Sequence, residues 1–86
     1  TEDTLREMKV LDRILEAAME GKMSADRFSW LWRGRRSNGS YLRSVLATAR
    51  LSGHPQREVK ICRSVTARLN APSFARRLEE LTGETV

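Results

Sequence analysis

Apolar side chains recur along this chain at steps of three and four residues, and glycine or proline interrupts the pattern at regular points. Such spacing places apolar residues on one face of an α-helix, whereas a half-buried strand would show a period of two. The pattern predicts an all-α fold, a compact bundle of about five short helices that forms a single small domain over residues 1–86. Only residues 59–65 contain enough β-branched side chains to make a strand the alternative.

The first predicted helix begins near Leu5 and ends near Glu20. Thr4 and Glu7 have the spacing of a capping box, in which each side chain satisfies a free amide at the start of a helix. Gly21 follows as the predicted stop. The residues predicted to face inward are Leu5, Met8, Leu11, Ile14, Leu15 and Ala18.

The second predicted helix is capped by Ser24, ended by a glycine at position 34, and carries Phe28, Leu31 and Trp32 on its inner face. Trp30 lies about 200° away from Phe28 around this helix, so it cannot share the same core face and must be covered by something else. Packing against another element or a second subunit is the favoured explanation, because large aromatic side chains are usually enclosed. Stacking on unpaired bases is the alternative.

Three more helices follow. Ser40 is the predicted cap of the third. Pro55 and Pro72 suit the first position of a helix, where the missing amide would be unpaired in any case, and are predicted to open helices 4 and 5. Helix 4 is expected to reach about Leu69, and Gly83 to close helix 5. The predicted inward residues are Leu42, Val45, Leu46, Ala49, Val59, Cys62, Val65, Leu69, Phe74, Leu78 and Leu81.

Helices 3 and 4 have part of the spacing of a helix-turn-helix. Ala49 supplies a small residue at the predicted helix crossing, Gly53 a left-handed turn, and Val59 an apolar contact back to helix 3. The match is partial, because Ser52 and His54 stand where apolar residues are usual.

The distribution of charge along the chain narrows the kinds of partner that the protein is expected to bind. Residues 27–77 contain twelve basic side chains and one acidic one, Glu58, so this segment has a net charge of +11, while both flanks are acidic. Eleven of the twelve cations are arginine, whose planar fork fits phosphate and guanine edges. The composition therefore favours nucleic acid as the partner, with a solvated basic surface as the alternative.

The predicted outer face of helix 4 has basic side chains at its margins and short side chains in its middle. A helix in a major groove needs cations that reach phosphates and bases, and short side chains where its backbone approaches the base edges. An ordinary amphipathic surface helix is the alternative. The candidate reading residues are Arg57, Lys60, Arg63, Ser64 and Arg68, and the candidates for positioning the nucleic-acid backbone are Arg33, Arg35, Arg36 and Arg43.

Helix 1 has a wide apolar face, which suits either the core of one chain or a symmetric homodimer that reads two half-sites. The predicted interface consists of Leu5, Met8, Leu11, Leu15 and Trp30.

Catalytic and metal chemistry find little support. One histidine and one cysteine, His54 and Cys62, cannot complete a zinc site, and no glycine-rich phosphate loop follows a strand. We expect a non-enzymatic protein without a cofactor or metal. A single cysteine indicates a reducing compartment, and no apolar run approaches the ~18 residues of a membrane span, so a cytoplasmic protein is expected, associated with the nucleoid if it binds DNA.

Together these features predict a small helix-turn-helix type DNA-binding protein, a transcriptional regulator or accessory factor. RNA binding through the arginine-rich loop and Trp30 is one alternative. A protein adaptor whose basic groove takes an acidic partner is the other.

Overall fold

A computed structural model describes residues 1–84 and contains five helices, with no strand in that part of the chain. The all-α prediction is confirmed. The strand alternative for residues 59–65 is wrong, because these residues lie inside the fourth helix. The helices are α1 (Glu2–Met19), α2 (Ala25–Arg33), α3 (Asn38–Leu51), α4 (Pro55–Thr66) and α5 (Pro72–Thr82).

Helix α1 begins three residues before its predicted start. Thr1 is the cap, and its Oγ1 accepts a hydrogen bond from the amide of Thr4 at 3.2 Å. The predicted capping box is therefore wrong. The earlier start adds a turn that contains Glu2 and Asp3, and these carboxylates are favourable near the positive end of the helix dipole. The predicted stop at Gly21 is confirmed, with φ at +73°.

The connection between α2 and α3 is shorter than predicted. Ser24 caps α2 as expected and accepts from the amide of Arg27 at 3.2 Å. Helix α3 begins at Asn38, before the predicted cap Ser40. Asn38 Nδ2 donates to the carbonyl of Trp32 at 2.7 Å, so this side chain ties the start of α3 to the end of α2.

A glycine turn joins α3 to α4. Gly53 has φ of +70°, its amide donates to the carbonyl of Arg50 at 3.2 Å, and the amide of His54 donates to Ala49 at 2.8 Å. These two bonds form a Schellman motif, which satisfies carbonyls at the end of α3. Pro55 is the first residue of α4, as predicted.

Helix α4 ends at Thr66 and not near Leu69. Backbone amides bond the last carbonyls, as from Ala67 to Arg63 and from Leu69 to Val65, and two side chains add to them. Thr66 Oγ1 donates to the carbonyl of Cys62 at 2.8 Å, and Arg68 donates to that of Ser64 at 3.2 Å. Such side-chain bonds are common at helix ends.

Helix α5 has its predicted boundaries. Pro72 is its first residue, and Gly83 closes it in the left-handed conformation. The helix packs on α4 through Leu78, which is buried, and through Phe74 and Leu81, which are half-buried.

Helix α4 lies at the centre of the molecule, in contact with α1, α3 and α5. Three core details differ most from the prediction. Leu5 is exposed. Ile61 of α4 is fully buried, although it was not among the predicted inward residues. Tyr41 is buried, and its hydroxyl donates to the carboxylate of Asp12. Burial and this hydrogen bond raise the pKa of Tyr41.

Candidate nucleic-acid interface

The surface of the cationic segment carries no exposed carboxylate. Glu58, its only acidic residue, is 1% exposed. Nine of the twelve cations are exposed. They are Arg27, Arg33, Arg36, Arg43, Arg50, Arg57, Lys60, Arg63 and Arg76. Burying the one negative group makes this surface more uniformly positive than the sequence alone implies.

Three of the five candidate reading residues form the open face of α4. Arg57, Lys60 and Arg63 are exposed, and Ser64 is half-buried beside them. Lys60 makes no ion pair within residues 1–84. The helix presents these side chains outward because Glu58 and Ile61 occupy its inner face. Their role in reading bases stays a prediction.

Two of these cations are paired with carboxylates from other elements. Arg57 Nη2 lies 3.0 Å from Glu16 Oε1 of α1, and Arg63 Nη1 lies 3.7 Å from Glu84 Oε2. All four side chains are about half exposed or more. Exposed pairs of this kind contribute only about 0–1 kcal/mol to stability, so both arginines are free to exchange a carboxylate for a phosphate.

Arg68 has a structural position. Its Nε donates to the carbonyl of Met23 at 3.4 Å and its Nη1 to that of Ser64 at 3.2 Å, and the residue is half-buried. These bonds hold the end of α4 against the connection between α1 and α2. Contact with a base would break them, so the open reading face consists of Arg57, Lys60 and Arg63.

The arginines at the end of α2 and just after it lie away from this face. Arg33 and Arg36 are exposed, whereas Arg35 is half-buried and bonds Glu7 of α1 at 3.2 Å. Arg35 pairs with Glu7 of α1, whereas Arg57 pairs with Glu16 of the same helix. These two glutamates are nine residues apart, so they are separated by about 13 Å along the helix axis and lie on opposite sides of the helix. The structure therefore does not bring the loop arginines and the α4 face together.

Glu58, Arg50 and Arg77 form a charged cluster that sequence reasoning missed. Glu58 Oε2 accepts from Arg50 Nε at 2.5 Å and from Arg77 Nε at 2.9 Å, and its Oε1 accepts from Arg77 Nη2 at 3.3 Å. Burial alone would raise the pKa of Glu58, but the hydrogen bonds from Arg77 and Arg50 outweigh it and lower the pKa below its ordinary value of 4.5. The isolation of one acid among twelve bases was the only sequence signal for this pairing.

An open cavity of about 250 Å³ lies beside this cluster, between α3 and α5. Its polar lining is cationic or neutral, and its apolar wall comes from α3 and the first turn of α5. The arrangement suits a small anion. The lining residues are Arg43, Leu46, Arg50, Ser73, Phe74 and Arg77.

The predicted dimer interface divides between core and surface. Leu11 and Leu15 are 0% and 1% exposed within the single chain, so they are core residues. Leu5 and Trp30 are 64% and 75% exposed. Met8 is half-buried. Packing within one chain therefore does not cover Trp30, which leaves a second subunit or an unpaired base as its predicted partner.

Cys62 and the acidic side chains do not form a metal site within residues 1–84. Cys62 is buried, and its burial together with the charge of Glu58 raises the pKa of the thiol. No group of three His, Cys, Asp or Glu side chains is arranged to hold a metal there, and none of those helices combines the length and the apolar composition that crossing a membrane requires. Compared with protein-family models, curated proteins and solved structures, the chain matches none of them.

Proposed function

We propose that this protein binds nucleic acid, preferentially duplex DNA, through the exposed cations of residues 27–77. The observation that carries the proposal is the burial of Glu58, the one acidic residue of this segment, which leaves residues 27–77 with nine exposed cations and no exposed carboxylate of their own. The exposed carboxylates that pair with Arg57 and Arg63 come from Glu16 and Glu84, outside the segment. A field of one sign attracts a polyanion over long range, and contacts to phosphates release condensed counterions.

Within this proposal α4 is the reading element of a helix-turn-helix-like unit formed with α3. Recognition helices contact base edges mainly with residues near their amino ends. Arg57 and Lys60 are in the first half of α4 and are exposed, and Arg63 follows on the same face in the second half, beside the short side chain of Ser64. Sequence-selective binding of this kind suits a transcriptional regulator or an accessory factor.

The first experiment is a binding titration at several salt concentrations against random duplex DNA, single-stranded DNA and structured RNA. With about 4–8 phosphate contacts, the logarithm of the duplex binding constant should fall against the logarithm of salt with a slope of about −4 to −7. A slope near zero, or no binding at low salt, contradicts the proposal.

A pair of variants separates reading from positioning. Lys60→Ala should weaken a selected preferred sequence by about 1–3 kcal/mol more than random duplex. Arg33→Ala removes a cation that is also exposed and has no partner within residues 1–84, and it should weaken both DNAs alike. If the two variants behave identically, α4 is not a recognition helix.

Single-stranded RNA is the second candidate, because the exposed Trp30 lies beside Arg35 and Leu31. Stacking of a base on an aromatic ring contributes about 1–3 kcal/mol, so Trp30→Ala should weaken single strands by that amount and leave duplex DNA unchanged. Absence of any nucleic-acid complex would favour the third reading, an adaptor for an acidic protein.

A further inference from the structure

We propose that the cavity between α3 and α5 is a phosphate-binding site, which holds one backbone phosphate of the bound nucleic acid. Its ligands are the guanidinium groups of Arg43 and Arg50 and the hydroxyl of Ser73, with Arg77 at the wall. The inference rests on the proposed function and deepens it, because it assigns a phosphate contact to a face other than the open face of α4.

Unused hydrogen-bond donors face this cavity. Arg50 bonds Glu58 only through Nε, so both of its terminal nitrogens keep their hydrogens available. Arg43 and Ser73 make no side-chain hydrogen bond within residues 1–84. Two planar forks and a hydroxyl at one cavity form a donor set suited to the oxygens of a tetrahedral anion.

The charge of the cluster matches a phosphodiester. Three guanidinium groups line the cavity, and two carboxylates compensate them, Glu58 and Glu80, the latter 3.2 Å from Arg77 Nη1. One positive charge therefore stays uncompensated. A backbone phosphate carries one negative charge and neutralises it.

Glu58 acts as a positioning residue for this site. Its buried carboxylate fixes Arg50 and Arg77 before any ligand arrives, so less side-chain entropy is lost when an anion binds. Leu46, which is 4% exposed, and Phe74 provide an apolar wall, and a lower local dielectric strengthens charge-assisted hydrogen bonds.

The size of the cavity favours a single anionic group over a whole small molecule. Its volume of about 250 Å³ lies below the ~300–1,000 Å³ of most small-molecule sites. Residues 27–77 carry nine exposed cations, so a long polyanion that places one phosphate in the cavity meets further cations elsewhere on the surface. An acidic peptide is the competing occupant and enters the test below.

Arg43→Ala is the informative variant, because Arg43 is exposed, makes no side-chain bond within residues 1–84 and is not a core residue. Arg13→Ala is the matched control, since it removes from α1 one exposed arginine that has no partner among the described residues. Arg43→Ala should weaken duplex DNA about tenfold, the loss expected for one charge-assisted hydrogen-bonded contact. Its salt slope should become shallower by about 1, and random and preferred duplexes should be affected alike. Arg13→Ala should leave the affinity for duplex DNA and the salt slope within about twofold of their wild-type values.

A second measurement tests the cavity without DNA. Inorganic phosphate should shift the Nε–H resonances of Arg43 and Arg50 saturably in a ¹⁵N–¹H spectrum, and chloride at equal ionic strength should not.

If the wild type binds DNA but the two alanine variants lose affinity equally, the cavity proposal is overturned and the proposed function stands. If the wild type binds no nucleic acid, both fall, and a phosphate shift then assigns the cavity to a free phosphate ion. Displacement of DNA from the cavity by an acidic peptide at lower concentration than by phosphate overturns the nucleic-acid assignment in favour of a protein partner.

Discussion

Glu58 connects the stability of this molecule with its surface charge. Its carboxylate is buried and accepts three hydrogen bonds from Arg50 and Arg77, which come from the helices on either side of α4. Loss of the carboxylate leaves two arginines without their common acceptor. The side chains of Arg50 and Arg77 are 47% and 34% exposed, so water can bond them, which limits the free-energy cost of losing the carboxylate.

Glu58→Gln should lower the free energy of unfolding by about 1–3 kcal/mol, because a neutral amide forms weaker hydrogen bonds to a guanidinium and presents a donor to one of them. Urea denaturation gives the value. Glu80→Gln is the control, since Glu80 is exposed and within residues 1–84 bonds Arg77 alone, and it should change the free energy by less than about 1 kcal/mol. Equal effects of the two substitutions would contradict the role assigned to Glu58.

The same carboxylate should give the stability a pH dependence. The pKa of Glu58 is lower in the folded protein than its ordinary value of 4.5, so the folded state favours the charged form. The contribution of the Glu58 carboxylate to the free energy of unfolding is complete above pH 4.5. It is lost as the pH falls through the lower pKa of the folded state. The difference in unfolding free energy between wild type and Glu58→Gln should therefore shrink below pH 4.5. A constant difference would contradict the pairing.

Buried polar partners were the part of the site that the sequence could not show. Asp12 meets Tyr41 across 29 positions and Glu58 meets Arg77 across 19, and such pairings depend on how helices pack. Helical projection did place Arg57, Lys60 and Arg63 outward, because it needs only the local period of the helix. It also assigned Arg68 to that face, since a projection contains no information on Met23, to whose carbonyl Arg68 bonds.

At the scale of elements, glycine and proline predicted boundaries better than hydroxyl caps did. Pro55, Pro72 and the left-handed Gly53 act through backbone geometry, which few residues can replace. Serine and threonine caps have many near-equivalent positions. Thr1 therefore caps α1 in place of Thr4, and α3 starts after Ser37, whose side chain makes no capping hydrogen bond, in place of Ser40. Each helix starts three residues or fewer before its predicted start.

The turn between α3 and α4 should tolerate only glycine at position 53. An added Cβ meets open space there, so the cost of Gly53→Val is backbone strain alone, about 1–2 kcal/mol. Gly39→Ala is the control, because Gly39 lies in α3 with ordinary φ and open space, and it should stabilise the fold by about 0.4–1 kcal/mol. Thermal denaturation measures both. An unchanged midpoint for Gly53→Val would mean that the turn differs from this structure.

At the scale of the whole molecule, exposed apolar residues bear on the predicted homodimer. Leu5 and Trp30 are open to solvent, whereas Leu11 is in the core, so Leu11→Glu would unfold the chain without testing association. We expect the wild type to sediment as a dimer at micromolar concentration and Trp30→Ser as a monomer. Because Trp30 contributes little to the monomer core, Trp30→Ser should change monomer stability by less than about 0.5 kcal/mol. A monomeric wild type contradicts the dimer.

The two tryptophans give the molecule built-in optical reporters of opposite character. Trp32 is 3% exposed and stacks on Phe28, while Trp30, two residues away, is 75% exposed. With Trp32 replaced by phenylalanine, the remaining emission should be red-shifted and readily quenched by acrylamide. Dimerisation through Trp30 would move that emission to shorter wavelength and protect it from the quencher. Duplex DNA held by α4 and the α3–α5 cavity would leave it unchanged, so a single spectrum distinguishes self-association from DNA binding.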